Sequence, residues 1–279
     1  MLPRRSKLSL TMQLNHFAGT SEVWNQPAVD IPNLTSLQLR GNPCFIVLIL
    51  QHLSIPARTQ LDLDLRCWER TSESNLRDVV PILKSRIAEP SLSPELTIQH
   101  INICEYTGTL SLTAYSSLDG PWEASFLLRM RLRYKDPLFA VWWMDDFISY
   151  LHLPTLTSLG VNLDWIGRTY LQVLPVLAHW QDVQSLWLYG KHTMCQLLQY
   201  LQLDDVLPSL DTLHLTEAWK NDSREPKEWD DLQPDVQTFL TSGKLSQRIR
   251  SIVLLSTHLN LSDTLWSFLQ SNFPNITLS

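Results

Sequence analysis

Residues 207–215 read Leu-Pro-Ser-Leu-Asp-Thr-Leu-His-Leu, and the same pattern occurs twice more in the chain. Residues 31–39 read Ile-Pro-Asn-Leu-Thr-Ser-Leu-Gln-Leu, and residues 153–161 read Leu-Pro-Thr-Leu-Thr-Ser-Leu-Gly-Val. A unit this short cannot bury its own apolar side, so neighbouring units have to stack against one another to form a continuous core. The repetition therefore predicts an architecture of stacked units.

The spacing of the units is the second observation. From Leu127 to Leu156, then to Val183 and then to Leu210, successive units are 29, 27 and 27 residues apart. These periods are typical of leucine-rich repeats. Weaker units extend the series, starting near residues 8, 61, 98 and 249. The sequence therefore predicts a single leucine-rich-repeat domain over residues 1–279, with a charged surface insertion at 217–233.

Apolar residues at helical spacing fill much of the sequence between the predicted strands, as in residues 76–87, 166–177 and 261–269. We therefore expect an α/β leucine-rich-repeat solenoid, with short parallel strands on the concave face and helices and some strands on the convex face. Residues 96–134 depart from this alternation and read as three strands. The middle one, at 110–114, is expected to replace a helix on the outer surface or to form a local hairpin.

Composition limits the classes of partner. The chain has 22 basic and 28 acidic residues, with a net charge of -6, and its basic residues are scattered. Nucleic-acid binding needs a concentrated basic surface, so we expect no nucleic-acid partner. The apolar run Phe45–Leu50 is too short to cross a bilayer. We expect no membrane partner and a location in the cytoplasm or nucleus.

Motifs that carry chemistry are not evident. The sequence has no phosphate-binding glycine loop, nucleophile elbow or paired-histidine metal motif. Its four cysteines are far apart, which favours free thiols over zinc sites or a disulfide framework. The acidic pairs at 145–146, 204–205 and 230–231, and the neighbours His192 and Cys195, are more simply interpreted as helix starts and loops. We predict no catalytic residue, no metal site and no cofactor.

Side chains that alternate with the repeat leucines should stand on the concave face, because successive residues of a strand point to opposite sides. This rule places Gln38, Ser158 and Thr216 on the concave face together with the candidate protein-binding residues, which are Arg40, Asp62, Asp64, Arg66, His100, Asn102, Arg129, Arg131, Arg133, Asn162, Trp187, Tyr189 and His214.

Two groups among these candidates have alternative interpretations. Arg129, Arg131 and Arg133 either form a positive ridge that binds carboxylates or phosphates, or pair with internal acids such as Asp62 and Asp64. The two aromatic residues of the set, at 187 and 189, either form a binding hot spot or pack beneath a flanking loop.

The repeated motif, its irregular spacing and the tryptophan-rich stretch Val141–Met144 resemble the leucine-rich-repeat region of fungal F-box proteins, which have ribonuclease-inhibitor-like repeats. In that family an N-terminal F-box binds the Skp adaptor of a cullin ubiquitin ligase, and the repeats bind the substrate. Met1-Leu2-Pro3 is similar to the start of an F-box, but Arg4-Arg5-Ser6 replaces the acidic continuation.

The resemblance implies a non-catalytic protein-recognition module that binds a protein on its concave face. It would be the substrate-binding part of an F-box-type ubiquitin ligase receptor, with Skp adaptor and cullin as partners only if an F-box exists outside this chain. The alternative is a stand-alone scaffold or an inhibitor of a single protein partner.

Overall fold

A computed structural model describes about half of the chain. The described residues are 6–11, 28–56, 58–67, 78–83, 98–106, 108–116, 126–134, 153, 155–162, 177–178, 180–189, 193, 197–198, 200–201, 206–216, 238, 247–255, 263–273 and 275–278. The insertion predicted at 217–233 lies outside them, as do the acidic pairs and the pair formed by His192 and Cys195.

Strands dominate the described residues. In chain order the elements are β1 (Ser6–Thr11), β2 (Val29–Asp30), β3 (Leu34–Gly41), α1 (Pro43–His52), β4 (Leu53–Ser54), β5 (Gln60–Cys67), β6 (His100–Tyr106), β7 (Thr109–Tyr115), β8 (Phe126–Tyr134), β9 (Ser158–Asn162), β10 (Ser185–Tyr189), β11 (Thr212–Thr216), β12 (Ser251–Leu255), α2 (Asp263–Asn272) and β13 (Asn275–Leu278). Residues 78–83 are also helical. The chain is an α/β protein whose strands are mostly parallel, as the sequence predicts at this coarse level.

The chain divides into two compact units. Unit 1 contains Met1–Gln99 and Gly108–Leu153, and unit 2 contains His100–Thr107 and Pro154–Ser279. The prediction of a single repeat domain stays a prediction.

The main sheet of unit 1 has the strand order β1-β3-β5-β8-β7. Its neighbours are parallel except for β7 and β8, which are antiparallel. Apolar residues on the buried side of the sheet lie in register, since Leu39 is beside Leu63 and Leu63 is beside Met130. All three are buried, so the alternating pattern of each strand builds one apolar layer.

Helix α1 covers part of that layer. Asn42 caps its start, because the side-chain Oδ1 accepts a hydrogen bond from the Cys44 amide at 3.0 Å. Pro43 follows at the first helical position, where its missing amide proton costs nothing. Ile46 and Leu50 are buried one turn apart, and the helix packs against β3 and β5.

The strand β7 decides between the two expectations for the region 96–134. It pairs with β8 in the same sheet, with Leu110 beside Leu132 and Ser111 beside Arg131. The hairpin expectation is therefore confirmed for β7 and β8, and the alternative of a strand on the outer surface is wrong. Alternate apolar residues of β7 are buried in the same layer as those of β8, which explains why the strand stays in the sheet.

Unit 2 has a parallel sheet in the order β6-β9-β10-β11-β12-β13. Two apolar rows cross it in register. The first contains Ile101, Leu159, Leu186, Leu213, Ile252 and Ile276, and the second contains Ile103, Val161, Leu188, Leu215, Leu254 and Leu278. The polar side chains between these rows are consequently also held in register on the other side of the sheet.

Local backbone bonding recurs along this sheet. The Thr157 carbonyl accepts hydrogen bonds from the amides of Gln184 and Ser185, at 2.9 and 3.0 Å. The carbonyl of Gln184 accepts in the same way from residues 211 and 212, and that of Asp211 accepts from residues 250 and 251. Three successive strands therefore begin with the same arrangement.

Two copies of the repeated sequence also fold alike. The Leu34 amide donates to the Ile31 carbonyl at 3.2 Å, and the Leu210 amide donates to the Leu207 carbonyl at 3.0 Å. In both copies a tight turn around proline leads into the strand, because proline fixes its own φ in the range that such turns need.

Candidate functional site

The arginine-rich face of unit 1 is the first candidate site. It comprises the arginines at 40, 66, 129, 131 and 133 together with Asp62 and Asp64, on the central strands β3, β5 and β8. Each of these residues alternates with a buried apolar residue, which places them together on the polar side of the sheet.

Asp64 is the centre of this face. Its carboxylate lies 3.0 Å from Arg40 Nε on one side and 3.1 Å from Arg133 Nε on the other. Arg133 Nη2 also donates to Asp64 Oδ2 at 3.3 Å, so the guanidinium binds both carboxylate oxygens. Asp64 is only 2% exposed, and these hydrogen-bonded guanidinium partners offset the cost of burying a carboxylate.

Asp62 has a similar but more accessible arrangement. Arg131 Nη2 donates to Asp62 Oδ1 at 2.8 Å, and Gln38 Nε2 lies 3.4 Å from Asp62 Oδ2. The hydrogen bonds continue to β1, where Ser9 Oγ donates to Gln38 Oε1 at 3.0 Å. Of the two interpretations of the arginine strand, internal pairing therefore describes Arg131 and Arg133.

The aromatic cluster of unit 2, formed by His100, Ser158, Trp187 and His214, is the second candidate site. The rings of Trp187 and His214 are stacked, with centroids 3.8 Å apart and an angle of 3° between their planes. The two residues are register neighbours on β10 and β11, so the sheet itself sets this stack. Both side chains are half-buried and leave part of the stack accessible to solvent.

Ser158 links the indole to a second imidazole. Trp187 Nε1 donates to Ser158 Oγ at 3.2 Å, and Ser158 Oγ lies 2.8 Å from His100 Nδ1. Because an indole N–H can only donate, Ser158 keeps its own hydroxyl proton for His100. The His100 ring also stands edge-on to the Trp187 ring, at 6.4 Å and 86°.

Both histidines are neutral near pH 7. Burial lowers the pKa of His100 to about 4, and the nearby His214 contributes to the same shift. Burial also lowers the pKa of His214 to about 4. A neutral His100 can accept the Ser158 proton at Nδ1, which agrees with the short distance between these atoms. Ser158 and His100 are 3% and 2% exposed, so this pair is placed to orient the indole and not to meet a substrate.

Gly160 makes room for two other candidate residues. A Cβ atom at this position would lie 2.8 Å from Asn102 Oδ1 and 3.2 Å from Tyr189 Cε2. The space that a side chain would fill is therefore occupied by the amide of Asn102 and the ring of Tyr189. This packing explains why Tyr189 is 0% exposed, although it lies on the polar side of β10.

The expectation that all candidate residues are accessible needs correction. Asp64, His100, Asn102 and Tyr189 are buried, because neighbouring side chains cover them. The remaining candidates are Arg40, Asp62, Arg66, Arg129, Arg131, Arg133, Asn162, Trp187 and His214, which are half-buried and therefore partly accessible.

Three contributing residues were not among the candidates. Gln38, Ser158 and Gly160 also alternate with buried apolar residues, so the rule that selected the others applies to them. Only the register between strands shows that Ser158 and Gly160 lie between β6 and β10.

Within the described ranges, no group of three His, Cys, Asp or Glu residues that could hold a metal ion occurs. Cys44 is an exposed free thiol, and the Cys104 thiol donates a hydrogen bond to Asn102 Oδ1 at 3.6 Å. In the part of the chain that the structure describes, no helix is long and apolar enough to span a membrane.

Comparisons of the chain with protein-family models, with curated proteins and with solved structures found no match.

Proposed function

We propose that the chain is a non-catalytic protein-recognition module of the leucine-rich-repeat type. The observation that carries the proposal is the Trp187–His214 stack, which is partly exposed on the polar side of a parallel sheet. Tryptophan is among the residues most enriched in protein-binding hot spots. A protein partner that covers the stack would exclude water from its exposed part.

The stack is also held in place before binding. Its indole is fixed by the bond to Ser158 and by the parallel His214 ring. A partner therefore loses little affinity to the ordering of this side chain, because most of its rotational freedom is already lost.

The repeat interpretation draws on local structure. Two copies of the repeated sequence share one turn geometry, and the same carbonyl arrangement recurs at the start of β10, β11 and β12. In a leucine-rich-repeat solenoid such equivalent units would stack, with the polar sides of the strands as the binding face.

Within this class we propose the substrate-binding part of an F-box-type ubiquitin ligase receptor, acting in the cytoplasm or nucleus. Skp adaptor and cullin would take part only through an F-box outside this chain. The alternative is a scaffold or an inhibitor dedicated to one protein, and the experiment below separates the two.

The test is affinity capture of the tagged chain from its native cell extract, followed by mass spectrometry. The intact chain is compared with Trp187→Ala, Trp187→Phe and the matched surface control Asp182→Ala. Asp182 is exposed and belongs to the same unit. Thermal melting of each variant shows whether it is folded.

We expect a protein that the intact chain and Asp182→Ala capture and that Trp187→Ala loses. With the purified partner, Trp187→Ala should raise Kd roughly 30-fold, which corresponds to about 2 kcal/mol. Trp187→Phe should keep part of the affinity, because it retains a stacking ring.

Skp adaptor or cullin among the captured proteins would support the ligase-receptor hypothesis. One dominant captured protein without the adaptor would support the alternative of a dedicated scaffold or inhibitor. A folded Trp187→Ala variant that captures the same proteins as the intact chain would overturn the proposal.

A further inference from the structure

The arginine-rich face of unit 1 carries a surplus of positive charge. Five arginines share the face with two aspartates, on a protein whose net charge is -6. The flanking strand β7 adds hydroxyl groups but no acid, because Thr109, Ser111 and Thr113 lie beside residues 133, 131 and 129 of β8. Among the described residues of this face, the excess positive charge has no compensating carboxylate.

The surplus has a geometric origin. Asp62 is the register neighbour of Arg129, and Asp64 is the register neighbour of Arg131. The ion pairs are shifted by two residues, since Asp62 binds Arg131 and Asp64 binds Arg133. Among the described residues, the arginines at the two ends of the face, Arg129 and Arg66, are therefore left without an aspartate partner.

At one end, Arg129 lies over the ring of Phe126, with its guanidinium carbon 4.2 Å from the ring centroid. This cation–π contact stabilises the guanidinium group but leaves its positive charge uncompensated. At the other end, Arg66 is the register neighbour of Arg133. Two like charges directly opposite each other destabilise a pair of strands, so an anion near Arg66 and Arg133 would relieve their repulsion.

The cationic groups are accessible to such an anion. The side chains of Arg40, Arg131 and Arg133 are 38%, 31% and 36% exposed. Arg66 is half-buried, and its Nε is buried without a hydrogen-bond partner among the described residues. The face thus combines exposed guanidinium groups with two buried donors, Arg66 Nε and Arg131 Nε, that have no hydrogen-bond partner among the described residues.

Building on the proposed function, we propose that this face binds an extended acidic segment of the protein partner, with Asp or Glu at alternate positions. Arg131 and Arg133 are two residues apart on one strand, a separation of about 6.6 Å. Each keeps N–H donors that its aspartate does not use, because Arg131 donates to Asp62 through Nη2 and Arg133 donates to Asp64 through Nε and Nη2. Alternate side chains of an extended peptide have the same spacing, so successive carboxylates can reach successive guanidinium groups. Arginine binds a carboxylate through two parallel hydrogen bonds, which suits this ligand.

A carboxylate-bearing peptide fits this face better than a nucleic acid does. The positive charge covers one face of three strands, whereas the whole chain is acidic. A polyphosphate chain would meet repulsion beyond this face, whereas a short peptide can end where the arginines end.

The test is fluorescence anisotropy of the intact purified chain with a labelled peptide of alternating Glu and Ser, six residues long. Peptides of alternating Gln and Ser, and of alternating Lys and Ser, serve as ligand controls. Arg66→Gln and Arg129→Gln remove charge at the two ends of the face without removing a partner of either aspartate. Arg250→Gln is the matched control, because it makes the same change at an exposed arginine of unit 2.

We expect the Glu peptide to bind more tightly than both ligand controls, with affinity that falls as salt rises. Arg66→Gln should weaken binding roughly tenfold, as should Arg129→Gln, while Arg250→Gln should leave it unchanged. Melting curves show whether each variant is folded. If Arg66→Gln does not fold, the affinity of Arg129→Gln tests the proposal.

Equal affinity for the Glu and Gln peptides would overturn the proposal. So would an equal loss of affinity in Arg250→Gln, or tighter binding of a single-stranded oligonucleotide than of the Glu peptide. If the Glu peptide does not bind while protein capture from the extract still depends on Trp187, the proposed function remains intact. Binding of the Glu peptide without any Trp187-dependent partner would overturn the proposed function alone.

Discussion

The arginine-rich face of unit 1 and the aromatic cluster of unit 2 come from the same strand pattern, yet different interactions stabilise them. In both, polar residues alternate with buried apolar ones on parallel strands. Unit 1 places a nearly buried carboxylate between two guanidinium groups, so it depends on balanced charge. Unit 2 stacks a neutral imidazole on an indole and depends on packing and on the protonation state of its histidines.

The difference shows that a shared strand pattern does not fix how the polar side of a sheet is stabilised. Neighbouring strands determine it, because they supply the groups that meet each side chain. The two faces should accordingly respond to different perturbations, namely loss of charge in unit 1 and acid or added volume in unit 2.

The largest effect is expected from Asp64→Ala. This change leaves Arg40 and Arg133 without their shared carboxylate, on a face that already has excess positive charge. Removal of one member of a buried ion pair costs several kcal/mol, and the partial exposure of both arginines places the expected loss at about 3 kcal/mol. Urea unfolding of the full-length variant and of the original chain measures this loss of stability.

The control for this prediction is Asp62→Ala in the same strand. Asp62 is more accessible than Asp64 and has one arginine partner among the described residues, so its loss should cost about 1 kcal/mol. Equal destabilisation by the two variants would contradict the central role of Asp64.

Acid should destabilise the aromatic cluster. The pKa of His214 is about 4 in the folded chain, below the usual value of 6.5, so the unfolded chain binds the proton first as pH falls. The free energy of unfolding should therefore fall between pH 6.5 and pH 4, and His214 alone should account for roughly 2 to 3 kcal/mol.

His214→Phe tests the assignment. Phenylalanine keeps a ring on Trp187 and cannot be protonated, and His214 Nδ1 has no hydrogen-bond partner among the described residues for the change to remove. Stability at pH 7 should change little, whereas the loss of stability toward pH 4 should be smaller than in the original chain. Identical pH profiles of the two proteins would show that His214 does not titrate in this range. Chemical denaturation at a series of pH values provides the measurement.

A smaller effect is expected from Gly160→Ala. The added Cβ would lie 2.8 Å from Asn102 Oδ1, closer than ordinary contacts allow. Buried neighbours yield only partly, so the variant should lose about 1.5 kcal/mol of stability. The double variant Gly160→Ala with Asn102→Ala should be less destabilised than the sum of the two single changes, because the clash with the Asn102 amide disappears. Additive losses in denaturant titrations would show that the alanine fits without strain.

Much of the strand framework was predictable from sequence. The repeated units indicated β3, β9 and β11, and the apolar alternation indicated the remaining strands of the two sheets except the short β13. The hairpin of β7 and β8 was one of two open alternatives, because its burial is set by neighbouring strands. Helix α1 was not predicted, since a short apolar run such as Phe45–Leu50 has no clear period.

The candidate sites were predictable in position but not in environment. Period-two alternation placed Tyr189 on the polar side of its strand. Its ring is nevertheless buried, because Gly160 has no side chain and the ring packs against it. The same rule placed Arg129, Arg131 and Arg133 on one side of β8, although only two of them have an acidic partner in the part of the chain that the structure describes.

The sequence by itself determined which side chains face the apolar layer, because a strand turns successive residues to opposite sides whatever its neighbours are. Only the tertiary structure decided which polar side chains meet. Arg131 and Asp62 are 69 residues apart in the chain, and they make contact because β8 lies beside β5. Trp187 and His214 stack because β10 and β11 are in register. Strand order and register depend on the packing of all strands together, so no single segment encodes them.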